Sequence, residues 1–337
     1  MAAPIVDRTA VLARTLVLLI SLALLVASAT AELPDLPIRK ASVVIVDNDD
    51  HRDVYTDEYV IALAELGEIR LDSLITTYSG NRREYDLFVP GRARILDLAR
   101  QSGVEIQAAA VEGTFSRLSR PQSGRIEDTV SLGLPAAARI VRVARKASPG
   151  SPLVIVCGGQ LTAVADAYLQ DPSIAPNVIV SGIFGASALD YNGGLDAWAW
   201  AIVVSRFQVV AVPIGPPKQR GVVWWQRAPE VPKARLATEL PQSVPLFHWM
   251  FEKKHPSNGG PSGHDFDGHA AVVLTRPDYL TQVQRYRPSG LDERGRPVLT
   301  PDPQGPIHEA MEADKSVATT EFWRVMGSLR DKLHKKL

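Results

Sequence analysis

Residues 41–63 read ASVVIVDNDDHRDVYTDEYVIAL. The run from Ser42 to Asp47 is almost wholly β-branched and apolar, as a strand covered on both faces must be. It ends abruptly in charge: Asp47, Asp49, Asp50, Asp53, Asp57 and Glu58 all fall within positions 47–58. Apolar residues then return at helical spacing, so the stretch reads as strand, acidic loop, helix. In an open α/β sheet, ligands bind where strand ends lead into helices, and this loop occupies such a place. Carboxylates packed this closely repel one another unless something positive neutralises them. A hard divalent cation does so economically, since Ca²⁺ takes about six to eight oxygen ligands. Two ordinary readings compete with it: Thr56 or Asp57 as a helix cap, and Asp50, His51, Arg52 and Asp53 as a solvated loop of local ion pairs. The spacing is not that of an EF-hand.

The same alternation continues along the chain. SVVIVD (42–47), LDSLITTYSG (71–80), PLVIVCGG (152–159), NVIVSGIFGA (177–186) and FQVVAVPIG (207–215) read as buried strands. Between them, segments such as GRARILDLARQSG and PAAARIVRVARKA have apolar positions at helical spacing, with Arg and Lys assigned to the polar faces. This predicts one α/β domain: a mostly parallel, Rossmann-like open sheet flanked by helices. From about Pro216 prolines, short helices and a glycine-rich turn predict helical cap elements near the carboxyl ends of the strands. RYRPSGLDERGRPVLTPDPQGP reads as turns, and TTEFWRVMGSLRDKLHKKL as a closing amphipathic helix with a basic last turn.

The 337 residues carry 37 Lys plus Arg and 37 Asp plus Glu. That balance lacks the basic excess expected of a nucleic-acid binder. Arg8 and Arg14 precede TLVLLISLALLVASATA, which ends in Ala29-Thr30-Ala31. Residues 1–31 are therefore expected to be a signal peptide, and 32–337 an exported domain, periplasmic or secreted, without stable membrane association after cleavage. The alternative is an uncleaved membrane anchor, the run being close to the roughly 17-residue lower limit for a spanning helix. Cys157 is the single cysteine, so no intramolecular disulfide staples the fold.

The stretch VVIVDND…DEYVIALAELGEIRLDSLITTYSGN resembles the opening of the inosine-uridine preferring nucleoside hydrolases, which carry D-x-D-P-G-x-D-D-A, a helix, and a strand ending in T-T-x-x-G-N. Further similar segments follow in the same order. They are PLVIVCGGQLTAVADAYLQDPSIAPNVIVSGIFGA, LDYNGGLDAWAWAIV, DGHAAVVLTRPDYL and TTEFWRVMGSL. The resemblance spans nearly all of the chain after residue 41. It implies Ca²⁺-dependent hydrolysis of the N-glycosidic bond of a small ribonucleoside-like substrate. By position, Asp49 would be a metal ligand and the general base acting on a metal-held water. Asp57, Thr162 through its carbonyl, and Asp267 would complete the ligand set. Asn81 and Asn192 would bind ribose hydroxyls, Asp190 would lie near the 5′ end of the sugar, and Asp47 would support the site from its edge.

The chain also departs from the family pattern. The loop between Asp49 and Asp57 is enlarged, and Thr56 stands where the first aspartate of D-D is expected, with Asp53 in the loop as a substitute. Ala163 replaces the asparagine of L-T-N. Phe266 occupies the place of the leaving-group histidine, which makes His264, ahead of His269 and His51, the candidate acid, and Phe266 itself a candidate for stacking on the base. Among the other aromatics, one of Trp224, Trp225, His248 or Trp249 is a candidate base contact. The rest of that group is expected to be packing, and Trp198 and Trp200 to be core or interface residues. Two alternatives stand beside the nucleosidase: a hydrolase of another ribosylated or glycosylated small molecule, and a weakened sugar- or nucleoside-binding protein. The chain is also compatible with a homo-oligomer.

Overall fold

The computed structural model describes residues 42–49, 55–78, 82–213, 229–253, 263–264 and 268–336. Expectations for residues 1–31, Asp53, Asn81, Trp224, Trp225, Phe266 and Asp267 lie outside that set.

The acidic stretch folds as its pattern requires. Strand β1 (Ser42–Asn48) is followed by helix α1 (Thr56–Glu65), and then by β2 (Ile69–Thr76). Tyr55 precedes α1 with φ of 70°, a left-handed conformation unusual for a non-glycine residue, and its buried ring packs 5.9 Å from that of Phe322. Gly67, at φ 72°, lets the chain reverse at the helix end, with Glu68 N–H donating to Leu63 C=O at 2.9 Å. Helix α2 (Arg82–Gln101) leads to β3 (Ala109–Glu112), and α3 (Pro135–Ala144) to β4 (Leu153–Cys157). Next come α4 (Thr162–Gln170), β5 (Val178–Gly182), the short α5 (Tyr191–Leu195), α6 (Ala197–Arg206) and β6 (Gln208–Ala211).

The strands order themselves β3-β2-β1-β4-β5-β6, all parallel. The chain therefore winds one way from β1 and the other way from β4, and the reversal falls between those two strands. Crossovers of a single hand place helices on opposite faces for opposite winding directions. Two cores result. Val44 and Val46 of β1 join the side chains of α1 and α2, whereas Ile45 joins those of α3, α4 and α6. The strand alternates between two apolar layers, which is why its sequence is continuously apolar.

Beyond β6 lie β7 (Glu230–Val231), α7 (Lys233–Glu239), α8 (Pro245–Lys253), β8 (Gly263–His264) and α9 (Gly268–Val272). Leu236, Leu240, Phe247 and Met250 of this region enter the first core, so the expected elaboration is packed onto the sheet rather than forming a core of its own. The segment read as turns is instead a hairpin, β9 (Gln282–Leu291) and β10 (Pro297–Pro301). With β11 (Ile307–Glu312), parallel to β6, it extends the sheet to nine strands in the order β10-β9-β11-β6-β5-β4-β1-β2-β3. Pro297 and Pro301 are tolerated because β10 is an edge strand and largely exposed, and Pro288 of β9 because it lies beyond the stretch paired with β11 and beside a register shift in the β10 pairing. Helix α10 (Lys315–His334) closes the fold with Ala318, Phe322, Val325, Met326, Leu329 and Leu333 on its buried stripe. Among the described residues, no helix is long and apolar enough to cross a membrane.

Candidate active site at the switch point of the sheet

The reversal between β1 and β4 leaves a crevice at the carboxyl ends of the two strands, because their loops diverge in opposite directions. Asp47 and Asn48 end β1, with Asp49 immediately after; all three are buried. The loop after β4 closes against them. Gly158 N–H donates to Asp47 C=O at 3.0 Å, and Thr77 N–H to Asn48 C=O at 2.9 Å. Gly159 permits this approach: a Cβ there would lie 2.6 Å from Thr77 Cγ2 and 2.9 Å from Asp49 Cβ. Across the crevice the first turn of α1 supplies Asp57, with Thr56 beside it, both 1% exposed.

Between these carboxylates lies a cation that the sequence reading placed on a solvent face. Arg92 of α2 is fully buried. Its Nη1 donates to Asp49 C=O at 3.2 Å and to Thr76 Oγ1 at 3.1 Å, and its Nε stands 3.4 Å from Asp57 Oδ2. The signal for it was present: Arg92 shares the i, i+3, i+4, i+7 stripe of Ile95, Leu96 and Ala99.

Acceptors here lack donors among the described residues. Both carboxylate oxygens of Asp47 and of Asp57, and Oε1 of Gln160 in the loop after β4, are buried without a hydrogen-bond donor from that set. Burial pushes the Asp47 carboxyl up to about 7, with the Arg92 charge opposing the rise. Cys157, beside Asp47 in the β1–β4 register, has its thiol raised by burial and then by that carboxyl. It serves as a buried apolar side chain rather than a nucleophile. Orphaned buried oxygens are costly. An oxygen-only donor set of this kind fits a hard cation such as Ca²⁺, although Arg92 already shares Asp57. Among the described residues taken alone, no group of three or more His, Cys, Asp or Glu side chains is arranged to hold a metal. Asp50, Asp53 and Asp267 lie outside that set.

The structure thus brings Asp47, Asp49 and Asp57 to one crevice. Thr162 opens α4 two residues beyond Gln160, and its hydroxyl donates to Asp196 Oδ2 at 2.7 Å. Asp196 also accepts from Leu118 N–H at 2.8 Å and, through Oδ1, from Ala199 N–H at 3.0 Å. It thereby ties the loops after β3 and β4 to the start of α6. Asn192 is buried beside the same strand ends, its Nδ2 donating to Gly158 C=O at 3.3 Å and Ile183 C=O at 2.8 Å. Asp190 caps α5 by accepting from Gly193 N–H, and its other oxygen accepts from Gly185 N–H at 2.8 Å. Both residues hold the loop after β5 in shape. Glu309 of β11 holds it too, accepting from Ala186 N–H at 2.8 Å and Ser187 N–H at 3.1 Å.

Trp200 Nε1 donates to Gly185 C=O at 2.7 Å, and Trp198 Nε1 to Thr129 Oγ1 at 3.0 Å, so both are core residues as expected. Trp249 is also packed, with the Arg94 guanidinium 5.1 Å from its ring centre, whereas His248 is exposed. His264 lies in β8, opposite Glu230 of β7, and its side chain is outside the described set. Arg92, Gln160, Asp196 and Glu309 are the members of this region that sequence reasoning missed. Asp196 left only the signal of a helix cap ahead of α6, and Glu309 none, since their other partners are brought to them by the fold.

The sequence matches no protein-family model and no curated protein. Solved structures do match. A purine-preferring ribonucleoside hydrolase from Gardnerella vaginalis superposes with a TM-score of 0.58 at 17% identity, over 86% of this chain and 99% of that one. An inosine-uridine preferring nucleoside hydrolase from Bacillus anthracis gives 0.57 at 14% identity, over 85% and 99%. The type III effector protein XopQ, in complex with adenosine diphosphate ribose, gives 0.53 at 12% identity, over 92% and 97%. This chain therefore has the nucleoside hydrolase fold, a single α/β domain around a mostly parallel sheet.

Proposed function

We propose that this chain, built on the nucleoside hydrolase fold, hydrolyses the N-glycosidic bond of ribonucleosides in a Ca²⁺-dependent reaction. The observation that carries the reading is the convergence of buried Asp47, Asp49 and Asp57 at the switch point, with the carboxylate oxygens of Asp47 and Asp57 unclaimed by any hydrogen-bond donor among the described residues. Asp49, Asp57, the Thr162 carbonyl and Asp267 would hold the ion. When bound, Ca²⁺ supplies a fixed double positive charge that orients water and sugar hydroxyls. Asp49 then acts as the base that removes a proton from the attacking water. The surrounding carboxylates stabilise positive charge as the sugar becomes oxocarbenium-like. Asn81 and Asn192 hold ribose hydroxyls, with Asp190 towards the 5′ end and Asp53 and Thr56 supporting the loop. His264 protonates the departing base, against which Phe266 stacks.

The test is release of free base and ribose from inosine, uridine and a ribonucleoside panel, with and without a chelator. Turnover abolished by chelation and restored by Ca²⁺ is expected, with Asp49→Ala inactive but folded. No release across the panel by protein that still binds Ca²⁺ refutes the nucleoside reading. A second reading, hydrolysis of another ribosylated compound, is favoured by the likeness to a fold neighbour that holds adenosine diphosphate ribose. ADP-ribose therefore belongs on the panel.

A further inference from the structure

We infer that Arg92 is a built-in counter-cation of the acidic crevice, sharing Asp57 with the divalent ion and thereby holding that ion more loosely than an arginine-free crevice would. This rests on the calcium reading above and adds a residue that neither the sequence reading nor the fold likeness assigns.

A fully buried guanidinium is rare, because removing it from water costs far more than an exposed position does. Here it stands on the inner stripe of α2, where an apolar residue would complete the packing with Ile95, Leu96 and Ala99. What it gains is specific. Nη1 is anchored by a main-chain carbonyl, Asp49, and by a hydroxyl, Thr76 Oγ1, which together point the group at the crevice. Nε faces Asp57 at 3.4 Å without hydrogen-bond geometry, and among the described residues Nε and Nη2 have no hydrogen-bond acceptor. The guanidinium therefore supplies charge to Asp57 while leaving its oxygens open. The Arg324–Glu68 pair differs, closing bidentately with two contacts of 2.9 Å that occupy both carboxylate oxygens. Charge without capture is what a site needs if it is to remain folded without its ion and still accept it.

By linkage, whatever stabilises the ion-free crevice more than the ion-bound one weakens ion binding by the factor that this difference sets, and two positive charges on one carboxylate repel only when the ion is present. Removing the charge with R92M should therefore tighten Ca²⁺ binding about tenfold. It should also widen the gap between melting temperatures in chelator and in excess Ca²⁺ by about 3 °C or more. R92K retains a positive charge and should stay within about threefold of the wild-type affinity.

The experiment is calorimetric titration of the purified full chain with CaCl₂, alongside thermal melts in EDTA and in excess Ca²⁺, for wild type, R92M and R92K. An R92M protein that folds only when Ca²⁺ is present also supports the proposal. Equal or weaker Ca²⁺ binding by R92M, equal destabilisation with and without the ion, or an R92K that behaves as R92M does, overturns it. Failure of the wild type to bind Ca²⁺ overturns the calcium reading itself, and is seen before any variant is compared.

Discussion

Asp196 offers a direct test of how the crevice is assembled. Its buried carboxylate accepts three hydrogen bonds, from Leu118 N–H at 2.8 Å, Thr162 Oγ1 at 2.7 Å and Ala199 N–H at 3.0 Å. Asp196→Ala removes all three acceptors. The Thr162 hydroxyl can turn elsewhere, but the two amides keep their direction and are left in a dry environment. Each orphaned donor costs about 1–3 kcal/mol, and the loss of the cap on α6 is part of that cost. Relief from burying a carboxylate offsets some of it, leaving an expected loss of about 3 kcal/mol. Asp196→Asn keeps the shape and one acceptor, so it should lose about half as much. Urea unfolding followed by circular dichroism measures the difference, with the m-value checked for constancy. A loss below about 1 kcal/mol for Asp196→Ala at unchanged m would refute the claim that this carboxylate ties the two loops together.

Gly159→Ala places a methyl group against Thr77 and Asp49, so it should cost about 1–3 kcal/mol and impair the crevice; unchanged melting and turnover would show that the loop yields freely. His308, 3% exposed on β11, is lowered to about 4 by burial and then by the Arg285 charge. Because its folded value lies below the ordinary 6.5, it costs nothing above that pH. Stability should fall by about 3 kcal/mol as pH drops from 6.5 through 4, as the unfolded chain takes up the proton first. Urea titrations across that window should show a shallower pH slope for His308→Gln than for wild type; parallel slopes would exclude His308 as the source.

The buried strands were legible because each is covered on both faces, and short continuous β-branched runs have few other uses in a globular chain. The β9–β10 hairpin was not. An edge strand with one wet face carries the Arg, Ser and Pro residues that also mark turns, and only its pairing with β11 distinguishes it. The acidic loop announced a site because five aspartates repel, whatever the fold. The same rule that made the helices legible misplaced Arg92, since assigning every arginine to a polar face overlooks its place on the apolar stripe.

The sequence by itself determined that strands and helices alternate, that the sheet is largely parallel, that Asp47 and Asp49 lie at a strand end, and that Asp57 lies where the next helix begins. Periodicity and local charge act over a few residues, and a sequence displays them openly. Only the tertiary structure decided that Arg92 from one helix faces those carboxylates, and that Gln160, Asp196 and Glu309 fix the neighbouring loops through hydrogen bonds. These contacts join segments dozens of residues apart. They depend on where the sheet reverses, a property of strand order that no local pattern carries.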